Sequence, residues 1–426
     1  MSRRVVITGM GAVTPLANDA PGTWKAVLAG KSGIARTTHF DASFFPSQIS
    51  GEVKNYDFTP WIKKDKRLER AMSNTRFALG ASEEAIRDSG LDWPNLNHRR
   101  IGIYFAAGDG PANLSPFSRS VIRSFNGSDQ YNPGGFVKSA LPEADLVSDV
   151  EQEPHATLGH LVRMFEIEGP AMNCLTACAA SAQAIGEGAD LIRRGHADVL
   201  LSGGSHSMIH PFGVAGFCLL STLSTSNDEP AKASRPFDLT RNGFVLSEGS
   251  AAVILEEYEH ARRRGARIYA ELCGYGSTAD AYRLTDSHPE GAGAAAAIRI
   301  ALETAGVNPS DVDYLNAHGT STKVNDAVET LAIKKIFGDH AKRMPVSSTK
   351  SMTGHLIAAA GATELQFCLL AMRDGVVPPT INYKNPDPDC DLDYVPNEAR
   401  KKSVRIAASN SFGFGGQNIV LVVKKP

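Results

Sequence analysis

A helix-to-strand device that occurs once in each half of the chain limits its fold more than any other feature. In the first half, Ala85-Ile86-Arg87-Asp88-Ser89-Gly90-Leu91 closes a helix and is followed by the strand Ile101-Gly102-Ile103-Tyr104-Phe105. In the second, Ala301-Leu302-Glu303-Thr304-Ala305-Gly306-Val307 closes a helix ahead of the apolar run Val312-Asp313-Tyr314-Leu315. A second pair follows the same plan. The small-residue helix after Cys178 runs through Arg193-Arg194-Gly195 to the strand Val199-Leu200-Leu201-Ser202, and the one after His355 runs through Met372-Arg373-Asp374-Gly375 to Val376-Val377. The glycines at these breaks read as helix C-caps. Repeated helices and strands joined by short glycine turns predict an α/β fold with buried sheets and a duplicated unit. At 426 residues the chain can bury a core of that size.

The same breaks carry the chemistry. Cys178 ends Asn173-Cys174-Leu175-Thr176-Ala177-Cys178, and a small-residue helix opens behind it. Unpaired N–H groups and the helix dipole at such a position stabilise a thiolate, which predicts a pKa below the ~8.5 of a free cysteine and a nucleophile. A lone cysteine is as often a small buried hydrophobe. Two histidine segments shift that balance. Asn316-Ala317-His318-Gly319-Thr320-Ser321-Thr322 follows a strand-like run, and Lys350-Ser351-Met352-Thr353-Gly354-His355 opens onto another small-residue helix. Side chains at strand ends and helix starts point into a shared crevice.

Bulk properties narrow the function. A net charge of −2 excludes a strongly basic nucleic-acid binder. No run approaches the ~18 apolar residues of a membrane helix, so no membrane partner is expected. Arg3-Arg4 before Val5-Val6-Ile7 mimics a signal peptide, but Thr8-Gly9-Met10-Gly11 breaks the run and no cleavage site follows, so it reads as a buried first strand. The six cysteines show neither a disulfide framework nor zinc spacing, so no metal is expected and reduced thiols fit a cytoplasmic location. Gly9-Met10-Gly11 lacks the third glycine and the acidic residue of a dinucleotide loop, and no cofactor is implied. Gly203-Gly204-Ser205-His206-Ser207 lacks the closing glycine of a hydrolase elbow and reads as a strand-end turn, with His206 and His210 as local turn or interface residues.

The Thr-Ala-Cys, Asn-Ala-His-Gly-Thr-Ser-Thr and Lys-Ser-Met-Thr-Gly-His segments, with Asn410-Ser411-Phe412-Gly413-Phe414-Gly415-Gly416 near the end, resemble the β-ketoacyl-acyl carrier protein synthases of the elongating type II kind. The resemblance runs from Arg4-Val5-Val6-Ile7 to Val420-Leu421-Val422 and is weakest between Gly108 and Met172. It implies a thiolase-like five-layered αβαβα fold made of two duplicated halves, residues 1–262 with the nucleophile and 263–426 with the two histidines. It also implies a decarboxylative condensation of an acyl group on Cys178 with malonyl-acyl carrier protein.

In that scheme the N–H groups of Cys178 and Phe414 hold the tetrahedral oxyanion, and Phe414 gates the acyl pocket with Phe217 as its partner. His318 and His355 act as Nε2–H donors to the enolate, Lys350 and Glu329 form an ion pair that orients them, and Thr320 and Thr322 bind pantetheine. Lys63, Lys64, Lys66, Arg67 and Arg70 form the basic patch that docks the carrier, and a homodimer is implied with its edge at the strand before Cys178. The chain departs from the family at Ser221 and Ser226, where arginines are expected, and at Asp109, where an aliphatic side chain closes the acyl pocket. Polyketide or polyene elongation therefore stays open beside fatty acid synthesis. A non-decarboxylating thiolase and a chain-shaping partner subunit are the alternatives; the first needs a second cysteine that 410–417 lacks, and the second usually lacks the cysteine kept here.

Overall fold

The computed structural model describes residues 3–108, 114–125, 127 and 129–426. Ten strands form the main sheet: β1 (Val5–Val13), β2 (Ile101–Ala107), β3 (Ala171–Cys174), β4 (Val199–His206), β5 (Gly249–Glu257), β6 (Ala270–Ala279), β7 (Tyr314–Asn316), β8 (Val346–Ser347), β9 (Ile406–Phe412) and β10 (Gln417–Lys424). Their order is β8-β7-β9-β10-β6-β1-β5-β4-β2-β3. Read outward from the β1/β6 joint, one arm runs β1-β5-β4-β2-β3 and the other β6-β10-β9-β7-β8. Each arm has two antiparallel pairings followed by two parallel ones. The two arms are the same fold used twice, and they meet through a short antiparallel contact of Val6 with Glu271 and Ile7 with Ala270.

Five layers follow from where the helices lie. α1 (Ser73–Ser89) covers the outer face of the first arm, and α4 (Ala292–Ala305) with α5 (Lys323–Phe337) covers that of the second. Between the arms run α2 (Ala180–Arg193) and α6 (Ala360–Asp374), which touch each other and strands of both arms. The three largest apolar cores among the described residues lie beneath the outer helices of each arm and around the central helices, the central one, which spans both inner interfaces, being built from Ile185, Ile192, Leu365 and Leu369 with Leu255 and Leu421. A middle helix covered on both sides must be apolar all round, and α6 is buried from Ala360 to Met372. A further helix, α3 (Pro211–Leu219), follows β4.

Gly9 and Gly11 let β1 approach α1 closely. A Cβ at either would lie 2.2 Å from the carbonyl oxygen of Ala85 or Ala81. Gly274 and Gly276 do the same for β6 against α4, where a Cβ would lie 2.2 and 2.0 Å from the carbonyls of Ala301 and Ala297. The glycine pair that superficially suggested a dinucleotide loop is therefore half of a repeated packing device. Gly90, Gly306 and Gly375 close α1, α4 and α6 in the left-handed conformation.

Two expectations need correction. Val376–Val377 does not join the main sheet; it pairs with Arg400–Lys401 in a separate two-stranded ribbon, and the second-arm counterpart of β4 is β9. Pro378-Pro379 follows directly, and proline cannot donate to the ladder of a central strand. Gly203 to His206 is not a turn but the end of β4, in register with Gly249 to Ala252. Asp109, and part of the stretch Asn126-Gly127-Ser128, lie outside the described residues. Among the described residues no helix is long and apolar enough to cross a membrane, and no cluster of side chains could hold a metal ion.

Candidate active site

Cys178 sits on a forced bend. Ala177 has φ 47°, and the 3-10 turn Ala177–Ala179 tips the chain into α2. A non-glycine residue in that region costs about 1–3 kcal/mol, so the surroundings must hold it. The second arm repeats the bend at Ile357, φ 45°, where the turn Ile357–Ala359 leads into α6. The two helix starts abut: the Ala362 N–H donates to Ser181 Oγ at 2.9 Å, and a Cβ on Gly361 would lie 2.7 Å from that of Ala182.

Burial pushes the Cys178 thiol up to about 11, against the backbone N–H groups of Phe414 and Cys178 itself and the charge of Lys350, which all favour the anion. The thiolate expected from the sequence is not the favoured form: the helix start faces the sulfur, but burial outweighs it. Two N–H groups aimed at the sulfur are also the donors that an oxyanion on the adjacent carbon would use.

His318 and His355 stand beside it, ring centroids 5.4 Å apart and planes at 82°. Burial, then the Lys350 charge, holds both well below the usual histidine range, so both are neutral. Lys350 Nζ lies 3.4 Å from His318 Nδ1 and donates to the His318 carbonyl at 2.6 Å. His355 Nδ1 accepts the Ile357 N–H at 3.2 Å, and its Nε2 has no partner among the described residues. With Nδ1 facing a donor in each ring, both protons fall on Nε2. The chain on either side of His355 is fixed by bonds to Val245 and Ser247, and Phe244 packs edge-on to the ring at 5.2 Å.

The expected Lys350–Glu329 pair is not formed. Lys350 pairs with Glu364 on α6, and both are buried. Glu329 instead accepts the N–H groups of His318 and Gly319, each at 2.8 Å, and the Asn410 amide at 2.9 Å, so it clamps the histidine loop by its backbone. Asp326, one turn earlier on α5, accepts from Ser321 at 3.2 Å and from Phe237 at 2.8 Å. Glu364 escaped notice in the sequence although it left a signal, being the sole carboxylate of the apolar run Ala360–Met372.

Cys178, His318, His355, Thr320, Thr322 and Phe414 all line one cleft of about 390 Å³. The Thr320 and Thr322 hydroxyls lie 3.0 Å apart, and Thr322 also caps α5. Phe217 and Phe414 both pack against the apolar cluster around Cys178, and the ring contact of Phe217 is with Phe244, at 5.7 Å. In the basic cluster, Lys63, Lys64 and Lys66 are exposed, whereas Arg67 pairs with Asp65 and Arg70 with Asp145.

A cysteine under two N–H donors, facing two Nε2–H imidazoles at the joint of a duplicated five-layered fold, defines a thiolase-fold acyltransferase. Residues 2–261 match the family described as "Beta-ketoacyl synthase, N-terminal domain", and residues 269–384 match "Beta-ketoacyl synthase, C-terminal domain". The chain belongs to the β-ketoacyl synthase family. It is 43% identical to 3-oxoacyl-[acyl-carrier-protein] synthase 2 of Coxiella burnetii, over 99% of both chains. To the enzyme of the same description from Staphylococcus aureus it is 42% identical, over 100% of this chain and 99% of the other. Among solved structures, a type II PKS acyl-carrier protein in complex with its ketosynthase bound to the hexaketide matches with TM-score 0.88 and 34% identity over all of both chains. A β-ketoacyl synthase from Burkholderia phymatum matches with TM-score 0.88 and 33% identity, again over all of both.

Proposed function

We propose that the chain condenses a Cys178-bound acyl group with malonyl-acyl carrier protein, with loss of carbon dioxide, to give 3-oxoacyl-acyl carrier protein. The observation that carries this reading is the pair of neutral imidazoles, each with its proton on Nε2, sharing one cleft with a cysteine under two N–H groups. Cys178 Sγ attacks the acyl thioester carbon, the N–H groups of Cys178 and Phe414 hold the tetrahedral oxyanion, and its collapse breaks the bond to the carrier, whose pantetheine sulfur leaves as a thiol with the proton that Cys178 gives up; one such donor is worth ~3 kcal/mol. The malonyl thioester then loses carbon dioxide, and its carbonyl oxygen becomes an enolate oxygen between the His318 and His355 donors. The enolate carbon attacks the acyl carbon and the thiolate of Cys178 leaves. Lys350, neutralised by Glu364, fixes the proton of His318 on Nε2, and Glu329 fixes the loop. Thr320 and Thr322 line the entrance where pantetheine amides pass, and Phe414 and Phe217 border the acyl chamber.

The N-terminal half through residue 262 supplies the nucleophile and the remainder the two imidazoles. Lys63, Lys64 and Lys66, the unpaired part of the basic patch, meet the acidic carrier. Arg67 and Arg70 contribute less because Asp65 and Asp145 already neutralise them. A second copy of the chain covers the open edge at β3, directly after which Leu175 is exposed. The enzyme works in the cytoplasm, in fatty acid or related polyketide and polyene elongation.

The test is to supply an acyl-carrier thioester with malonyl-carrier and measure carbon dioxide and 3-oxoacyl product together. Equal amounts of both support the reading. Product formed from two acetyl thioesters without carbon dioxide would return the chain to the non-decarboxylating thiolases, and absence of any acyl adduct on Cys178 would make it a chain-shaping partner subunit.

A further inference from the structure

His206 is a third buried histidine beside the site, and the condensation scheme does not use it. Gly204 and His206 lie on one face of β4, since side chains alternate along a strand. At Gly204 that face looks onto the Ala358 carbonyl and Ser181, that is, onto the turn after His355 and the helix after Cys178. His206 is the next residue on the same face, close enough that a charge on it would depress His355. Only 1% of it is exposed, and neither Nδ1 nor Nε2 has a hydrogen-bond partner among the described residues.

The groups around it are in the same condition. His210 Nδ1 accepts the Gly213 N–H at 3.3 Å, which leaves a buried Nε2–H without an acceptor. Asn74 donates to the Gly108 carbonyl at 3.3 Å but its Oδ1 is unpaired, and a Cβ on Gly108 would lie 3.0 Å from His206 Nδ1. Two imidazoles and an amide oxygen with open valences thus lie on neighbouring stretches of chain, the Asn74 N–H donating to Ser207 Oγ at 3.1 Å, and leaving even one buried polar group unmet costs about 1–3 kcal/mol. The loop after His206 carries Ile209, and α3 carries Val214 and Phe217; all three belong to the apolar cluster that encloses Cys178. The chain that carries His206 and His210 therefore runs on into the apolar cluster around Cys178.

We propose that His206, with His210 and Asn74, forms a polar subsite at the inner wall of the acyl chamber, which takes an oxygen carried by the acyl chain. The inference rests on the acyl-transfer reading of Cys178. A neutral imidazole offers one donor and one acceptor, and burial pushes His206 down to about 3, so it stays neutral at every working pH. His210 Nε2–H adds a donor and Asn74 Oδ1 an acceptor, a set that matches a hydroxyl or an oxo group. A plain hydrocarbon leaves the whole set unmet, so His206 determines specificity for oxygen-bearing acyl groups.

The experiment measures the rate of Cys178 acylation, by intact mass, with pantetheine thioesters of equal length that are saturated or carry a hydroxyl or oxo group at successive carbons. The wild-type enzyme is expected to favour one oxygenated position by about tenfold or more. His206→Leu should abolish that preference while leaving the saturated thioester within about twofold, and His206→Gln, which keeps a donor and an acceptor, should retain part of it. Equal rates for saturated and oxygenated thioesters in the wild type would overturn the proposal, as would an equal fall for both in His206→Gln. No adduct with any thioester would instead overturn the acyl-transfer reading itself.

Discussion

The two arms of the molecule use one device for two purposes. In each, a strand ends, a non-glycine residue takes a positive φ, a 3-10 turn follows and a small-residue helix runs into the centre. The first arm puts a sulfur on that bend, under backbone N–H groups that stabilise negative charge. The second puts an imidazole just before it, where the Ile357 N–H occupies Nδ1 and the opposite nitrogen becomes a donor. Duplication supplies two equivalent platforms, and in the proposed reaction the side chain placed on each decides whether it makes a bond or holds a developing charge.

The largest effect expected separates these roles. His318→Ala or His355→Ala should lower condensation by about a hundredfold or more, the worth of one oxyanion donor, yet leave acylation of Cys178 within about tenfold. Equal losses in both half-reactions would mean that the arms do not divide the work.

Next in size is the buried pair behind His318. Lys350→Met strands Glu364, whose carboxyl burial already pushes up to about 7, and should cost about 3–5 kcal/mol, seen as a lowered melting temperature. Adding Glu364→Gln should restore most of the stability but not condensation, because the His318 proton is no longer fixed on Nε2. Recovery of both would show the pair to be structural only.

Gly11→Ala and Gly276→Ala probe the symmetry directly. Each adds a methyl group within about 2 Å of a helix carbonyl, Ala81 or Ala297. Each should destabilise by about 1–3 kcal/mol, and by similar amounts. A large loss in one and none in the other would contradict equivalent packing of the two arms.

The smallest effects concern protons. Burial disfavours the charged imidazole, so His318 and His355 should remain neutral as pH falls from 8 through 6, and their nitrogen-15 shifts should not move. A midpoint near the ordinary histidine value would contradict the desolvated site. For Cys178 the raised pKa means that thiol predominates until alkaline pH, so its alkylation rate should still be climbing at pH 9; a plateau by pH 7 would restore the thiolate.

What could be read from the chain was what lies close along it. Helix ends with capping glycines, strand-like runs and the three residues at their ends are local signals, and they carried the α/β layering. Pairings between distant segments were less visible. Lys350 was matched with Glu329 by motif alone, whereas the partner is Glu364, fourteen positions along and one layer inward. The helix start of the sulfur is visible in the sequence, whereas its burial is supplied by the tertiary fold. The repeat points to Val376–Val377 as a sheet strand, but the two prolines after it end it in a separate ribbon. Gly274 and Gly276 repeat Gly9 and Gly11 in plain view, but their meaning needs the helices they touch.

The central claim is that the first arm binds the acyl group and the second releases carbon dioxide from the malonyl group. The most direct test loads Cys178→Ala, His318→Ala and wild-type protein with acyl-carrier thioester and carboxyl-labelled malonyl-carrier, and follows acyl adduct and labelled carbon dioxide in the same sample. The account predicts labelled carbon dioxide without adduct for Cys178→Ala, adduct without labelled carbon dioxide for His318→Ala, and both for wild type. Loss of both signals in both variants would contradict it.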